Sequence, residues 1–206
     1  KNKQELFLSR DRIGEKPLHY ALWDHSFVFG SEMKSIFEYG LPKEPLLEFI
    51  EVYLTLTNIP APYTFYKHIK KLMPGHYLIV KKDSYKEYKY WDLPEIDERN
   101  MLKDEKKIYQ QFGSLLSDSV KIRMRSDVPF GAFLSGGLDS SAIVSVMSEH
   151  SSYPINTFTI GFPEKEFDES HLAEIVAKKF RTNHNNGTVS PKDFNDILNN
   201  IAFHYD

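Results

Sequence analysis

The sequence predicts an α/β protein, with a parallel sheet and helices in its second half and antiparallel strands in its first. Three observations carry this. Up to about position 100, apolar residues sit in short runs broken by turn residues, the pattern of hairpins. From Glu105 the apolar spacing becomes that of a helix. Beyond that point strand-length and helical segments alternate, the arrangement that builds a parallel sheet.

The elements follow in order. Leu6-Phe7-Leu8 reads as a strand leading into Arg10–Pro17, where Gly14 and Pro17 mark a tight reversal. Leu18–Trp23 and Phe27–Phe29 form a hairpin around Asp24-His25-Ser26, and Ser31 is placed to cap a short helix carrying Met33, Ile36 and Phe37. Leu46–Leu56 has helical character. Asn58–Pro62 must be a loop, because each proline lacks a backbone donor. Tyr77–Val80 and Tyr85–Tyr90 read as a second hairpin, and the charge-dense stretch Asp97–Lys107 as an exposed join. The expected organisation is 1–40, a connector with a hairpin over 41–104, and a second domain over 105–206.

In that second part Ile108, Phe112, Leu115, Ser119 and Ile122 recur at helical spacing. Val128–Leu134 has the length of a buried strand, and Leu138–Glu149 reads as a helix with Ile143, Val146 and Met147 inward. Ile155–Ile160 is a further strand, and Asp168 is placed to cap a helix running through Phe180.

Composition narrows the class. A chain of 206 residues suits one large or two small domains, at roughly 100–200 residues per domain. With 41% hydrophobic and 27% charged residues it is ordinary globular material. A net charge of −3, with both signs intermixed, gives no reason to expect nucleic acid or a membrane as partner. The absence of cysteine removes disulfides, thiolate metal sites and any thiol nucleophile within the chain. No apolar run reaches the roughly 18 residues of a membrane span, and the polar start is no signal peptide, so a cytoplasmic location is expected. The first residue is not Met and the last six stop on an apolar stretch without a cap, so a segment of a longer polypeptide is expected.

The chemistry concentrates in Ser135-Gly136-Gly137-Leu138-Asp139-Ser140-Ser141, between a strand and a helix. Glycines permit positive φ and close backbone approach. Free N–H groups at a helix start, aided by the helix dipole, favour an anion such as phosphate. Ser135, Ser140 and Ser141 add hydroxyls. Asp139 is a carboxylate in a site built for anions, and its useful role there is to hold Mg²⁺ against phosphates. There is no Gly-Lys-Ser/Thr ending and no G-x-G-x-x-G spacing, which excludes a Walker A loop and a dinucleotide fingerprint. A plain turn with Asp139 and Ser140 as caps is the alternative. It has no need of three hydroxyls, two glycines and an acid in seven residues.

This heptapeptide resembles the pyrophosphate loop of the N-type ATP pyrophosphatases. The surroundings are similar to the asparagine synthetase family: Ser126–Gly131, Arg10-Asp11 with Gly14 and Pro17, Ser31–Lys34, Leu72–Leu78, Tyr90-Trp91-Asp92 and Phe158–Phe162. The resemblance implies that 1–40 ends an antiparallel α+β glutaminase domain of the N-terminal-nucleophile type. It implies that 105–206 begins an adenine-nucleotide α-hydrolase-like synthetase domain. There ATP would activate the aspartate side chain as an acyl-adenylate, and ammonia from glutamine would displace AMP. Ser135, Gly136, Gly137, Asp139, Ser140 and Ser141 would bind ATP or pyrophosphate, with Mg²⁺ at Asp139, and Leu134 and Ile160 would flank the adenine near the strand ends. The implied partners are the small-molecule substrates, with a homodimer left open. The family's N-terminal catalytic Cys and its second Ser-Gly acidic motif have no counterpart here. A β-lactam-forming or peptide-amidating synthetase, and a nucleotide-binding module without catalysis, stay open as alternatives. A tRNA-thiolating enzyme would call for a basic face and cysteines.

Other residues have plainer readings. The eight histidines are scattered, with His171 on a helix and His184 in a loop. Tyr85, Tyr88, Tyr90 and Trp91 fit hairpin alternation better than a base-stacking platform. Asp168-Glu169 fit helix capping better than a ligand role.

Overall fold

A computed structural model describes residues 4–82, 84–97, 99 and 101–205. The mixed α/β chain separates into two compact units, one running to Ile96 and taking in Phe203, the other running from Asp97 to Ala202.

The first unit is built on antiparallel strands. β1 (Glu5–Ser9), β5 (His76–Lys81) and β6 (Ser84–Lys89) form one sheet in the order β1-β5-β6. β2 (His19–Trp23), β3 (Ser26–Gly30) and the two-residue β4 (Lys70–Lys71) form another, in the order β3-β2-β4. Leu8 lies opposite Leu78 and Leu6 opposite Val80, so the hairpin read as part of a connector is hydrogen-bonded to the first strand. Leu8, Tyr20, Leu72, Leu78 and Val80 bury one core; Ala21, Met33, Ile36, Leu41 and Ile69 bury another. Each fully buried aliphatic side chain of this kind contributes about 1.5–3 kcal/mol. The Arg10–Pro17 reversal is held by its own side chains. Arg10 donates to the carbonyls of Gly14, Lys16 and Leu72, and Asp11 accepts the Lys16 and Glu15 amides, which holds its carboxyl below the ordinary range.

Two local expectations are corrected here. Helix α1 (Met33–Phe37) has Glu32, not Ser31, at its N-cap, without a side-chain cap bond. Burial of Met33 and Ile36 holds this single turn, and the Ser31 carbonyl pairs with His19 Nδ1 instead. Helix α2 (Phe49–Leu56) starts three residues later than its apolar pattern and buries none of its residues.

The second unit alternates helix and strand: α3 (Glu105–Arg123), β7 (Gly131–Phe133), α4 (Leu138–His150), β8 (Asn156–Gly161), α5 (Ser170–Phe180), β9 (Asn183–Thr188) and α6 (Pro191–Tyr205). The strands are parallel in the order β7-β8-β9, with Phe133 beside Phe158 and Ile160 beside Gly187. Leu134, Val144, Ala173 and Ala177 form one buried cluster; Val120, Met147 and Ile155 form a second. Asp104 caps α3 through the Lys106 and Lys107 amides.

Here too the periodicity misleads in places. The stripe Ile108, Phe112, Leu115 and Ile122 is 40–62% exposed, and α3 packs instead through Leu116, Val120 and Met124. A helix carrying two apolar stripes does not declare which one is used. In α4 the fully buried residue is Val144, while Ile143 is exposed. β7 is shorter than the apolar run, because Pro129 has no N–H to give a ladder. His184 lies on β9, not in a loop. The run Asn183–Thr188 has poor strand propensity and is paired by its neighbour β8.

Candidate functional site

The candidate site is the turn from β7 into α4. Its entry is anchored on both sides. Leu134 is only 1% exposed; its amide donates to the Phe158 carbonyl at 2.9 Å, and its own carbonyl accepts the Thr159 hydroxyl. Leu134 is thus fixed through its side chain, its amide and its carbonyl together.

Gly136 follows with φ +82°, a conformation that strains any L side chain. A Cβ there would lie 2.5 Å from the Ala173 nitrogen and 2.6 Å from the Leu172 carbonyl carbon. The turn rests directly on the backbone of α5. Gly137 is different. It is the N-cap of α4 with ordinary extended angles, and a Cβ there would meet only Ser135 Oγ, at 3.3 Å. The second glycine keeps open the space in front of the helix rather than relieving a clash.

The serines tie the turn together. Ser135 Oγ and Ser140 Oγ are 3.0 Å apart, the Ser135 amide donates to Ser140 Oγ at 3.3 Å, and the Gly137 amide donates to Ser135 Oγ at 3.3 Å. Ser141 closes the first helical turn by donating its amide to the Gly137 carbonyl at 3.1 Å. The amides of Leu138, Asp139 and Ser140 precede any carbonyl that the helix could offer them, so they are free in kind to meet an anion. Asp139 is exposed on this first turn. Among the described residues no three His, Asp or Glu gather as a metal cluster. One carboxylate beside a phosphate-receptive turn still fits Mg²⁺, which is held by one or two carboxylates with phosphates and waters completing its shell.

Ile160 lies one strand over, 52% exposed, on the face of β8 opposite the buried Thr157 and Thr159. The structure thus gathers Leu134–Ser141 into one turn and reaches β8 through Thr159, with the Ile160 side chain on the other face. Thr159 and Gly161 lie in the family-like segment 158–162 but carry no site role in the sequence reading, and the Leu172-Ala173 backbone has none either. A glycine closing a β-rich run was the available signal for Gly161. Asp168 is not the N-cap of α5, which is Glu169, but it acts one residue earlier. Its carboxylate accepts from the Ser170 hydroxyl at 2.9 Å, the Ser170 amide at 3.2 Å and the Phe162 amide at 3.4 Å. These bonds, the Ser170 hydroxyl first, hold its carboxyl below the usual carboxylate range.

Comparison with known proteins gives this geometry a context. Residues 111–206 match the asparagine synthase family model, and residues 1–91 match a glutamine amidotransferase domain. The putative asparagine synthetase [glutamine-hydrolyzing] 2 of Methanocaldococcus jannaschii is 41% identical over 213 residues, covering 100% of this chain and 40% of that protein. The chain belongs to the asparagine synthetase family. Asparagine synthetase [glutamine-hydrolyzing] 1 of Bacillus subtilis is 33% identical over 207 residues, covering 100% of this chain and 32% of its own length. Amidase chyE of Penicillium rubens is 33% identical over 195 residues, covering 85% of this chain and 28% of its own length. The chain thus spans well under half of these relatives.

Within this member of the asparagine synthetase family, the remaining conspicuous side chains serve packing. Tyr77 and Tyr88 are cross-strand partners stacked at 5.1 Å, and Tyr85 packs edge-on to Tyr20. The Tyr90 hydroxyl donates to the Arg10 carbonyl, and the Trp91 amide donates to the Gly75 carbonyl. His184 Nδ1 pairs with Thr157 Oγ1 at 3.0 Å. No helix among the described residues is long and apolar enough to cross a membrane.

Proposed function

We propose that this chain supplies the nucleotide-pyrophosphate half of an ATP-dependent asparagine synthetase fed with ammonia from glutamine. The observation that carries this is the β7–α4 turn: a positive-φ glycine seated on α5, an open glycine N-cap, a bonded Ser135–Ser140 pair and an exposed Asp139. In this reading the glutaminase part extends past residues 1–40 to take in the hairpin of β5 and β6, which pairs with β1, and 105–206 open the synthetase domain, of the N-type ATP pyrophosphatase kind.

The chemistry follows from the charges. The side-chain carboxylate of aspartate attacks the α-phosphorus of ATP, and the bond to the bridging oxygen breaks, releasing pyrophosphate and leaving a β-aspartyl-adenylate. Ammonia then attacks the acyl carbon, AMP departs, and a proton is lost to give asparagine. The first step concentrates negative charge on the leaving pyrophosphate. Amides at the start of α4 and the hydroxyls of Ser135, Ser140 and Ser141 are the donors placed to meet it. Asp139 would hold Mg²⁺, which supplies charge neutralisation on the phosphates. Leu134 and Ile160 would border the adenine, Leu134 through its carbonyl and Ile160 through its exposed side chain.

The test uses a polypeptide of the relatives' length that carries this segment, assayed with ATP, ammonium chloride and a panel of carboxylic acids. Pyrophosphate release should depend on aspartate and yield asparagine in equal amount. Release that is independent of aspartate, or greater with another acid, would assign a different acyl substrate.

A further inference from the structure

We infer that Asp168 is a positioning residue for the phosphate-binding turn, setting its shape from the start of α5; this rests on the nucleotide reading above. Three contacts make the chain of cause. Asp168 ties the residue after β8 to the start of α5, by accepting the Phe162 amide with one oxygen and the Ser170 amide and hydroxyl through both. Gly161, the last residue of β8, lets the carboxylate sit there: a Cβ at that position would be 2.8 Å from Asp168 Oδ1. Two residues beyond Ser170, the Leu172-Ala173 backbone is the surface on which Gly136 rests.

The first turn of α5 is therefore clamped to the sheet at one end and supports the turn at the other. Gly136 has no side chain with which to grip that surface. Its φ of +82° is maintained by what lies beneath it and by the Ser135–Ser140 pair. Releasing the clamp frees α5 to shift by a few tenths of an ångström, and the amides that should converge on a phosphate lose their common aim. Asp168 touches no substrate in this account.

The experiment compares Asp168→Ala, Gly161→Ala and, as control, Asp193→Ala. Asp193 makes a comparable set of bonds at the start of α6, accepting from the Ser190 amide at 2.8 Å and hydroxyl at 2.6 Å. Two readouts are taken on the 206-residue chain: amide hydrogen exchange over 134–141, and affinity for Mg-ATP. Asp168→Ala should speed exchange across the turn at least ~10-fold and weaken Mg-ATP at least ~10-fold. Gly161→Ala should do the same in smaller measure by displacing the carboxylate, and Asp168→Asn, which keeps one acceptor oxygen, should recover part of the loss. Asp193→Ala should leave both readouts within twofold. Unchanged exchange and affinity in Asp168→Ala, or equal losses in Asp193→Ala, would overturn the inference. If wild type itself fails to bind Mg-ATP while exchange over the turn responds to Asp168→Ala alone, the clamp stands and the nucleotide reading falls. Should Asp168→Ala not fold, Gly161→Ala decides on the same two readouts.

Discussion

Replacing Asp139 by asparagine is expected to cut aspartate-dependent pyrophosphate release at least ~100-fold while leaving the fold intact. The effect is electrostatic. Asp139 is exposed on the first turn of α4, beside amides that have no partner within the helix. A carboxylate in that position repels a bare phosphate, so its presence is useful only with a cation between them. Asparagine keeps the size and the hydrogen-bonding capacity but gives up the charge. Gly137, not Asp139, is the N-cap of α4, so stability has little to lose. The measurement is made in a polypeptide of the relatives' length with free ammonia, which removes any dependence on glutamine hydrolysis. Activity within threefold of wild type would remove Asp139 from a metal-holding role. Loss of folding would assign it a structural role instead.

Within the turn the largest effect on stability is expected at Gly136, and the neighbouring glycine provides the contrast. Gly136→Ala places a methyl group 2.5–2.6 Å from backbone atoms of Leu172 and Ala173, which cannot rotate away. It also puts a non-glycine residue at φ +82°. Overpacking of this kind costs about 1–3 kcal/mol, and the backbone strain adds about 1–2 kcal/mol. Together they remove about 2–5 kcal/mol, a large share of the 5–15 kcal/mol typical of a domain. Gly137→Ala meets only a serine hydroxyl, and loses at most about 1 kcal/mol for a less suitable N-cap. Denaturant unfolding followed by signals from residues 97–202 should separate the two variants clearly. Equal stability for both would mean that α5 yields to Gly136 and that the turn is not seated as described.

Much of this was legible in the sequence because it is local. The helical spacing from Glu105, the Ser-Gly-Gly turn and the β-rich run at 155–160 each imply their element without help from distant residues. What escaped depends on the rest of the molecule. Residues 183–188, rich in asparagine and poor in strand formers, are a strand because β8 offers them a ladder. The exposed stripe of α3 and its packed stripe are equally apolar in one dimension, and only packing against Met147 and Ile155 distinguishes them. The seven residues of the turn were readable as a phosphate motif. Their support was not, since Leu172 and Ala173 lie more than thirty positions away and contribute backbone, which carries no residue-type signal.

The β7–α4 turn is proposed to receive the pyrophosphate portion of ATP. This is tested most directly by titrating the isotopically labelled 206-residue chain with pyrophosphate, with and without Mg²⁺, and following its backbone amide resonances. For a chain that spans well under half of its relatives' length, an affinity in the millimolar range, about −4 kcal/mol, is expected. Mg²⁺-dependent shifts are expected in the amides of Ser135 to Ser141, with smaller ones at Phe162 and Ser170, while the hairpin of β5 and β6 stays still. A folded sample in which residues 134–141 do not move, or in which the shifts gather elsewhere, would contradict it.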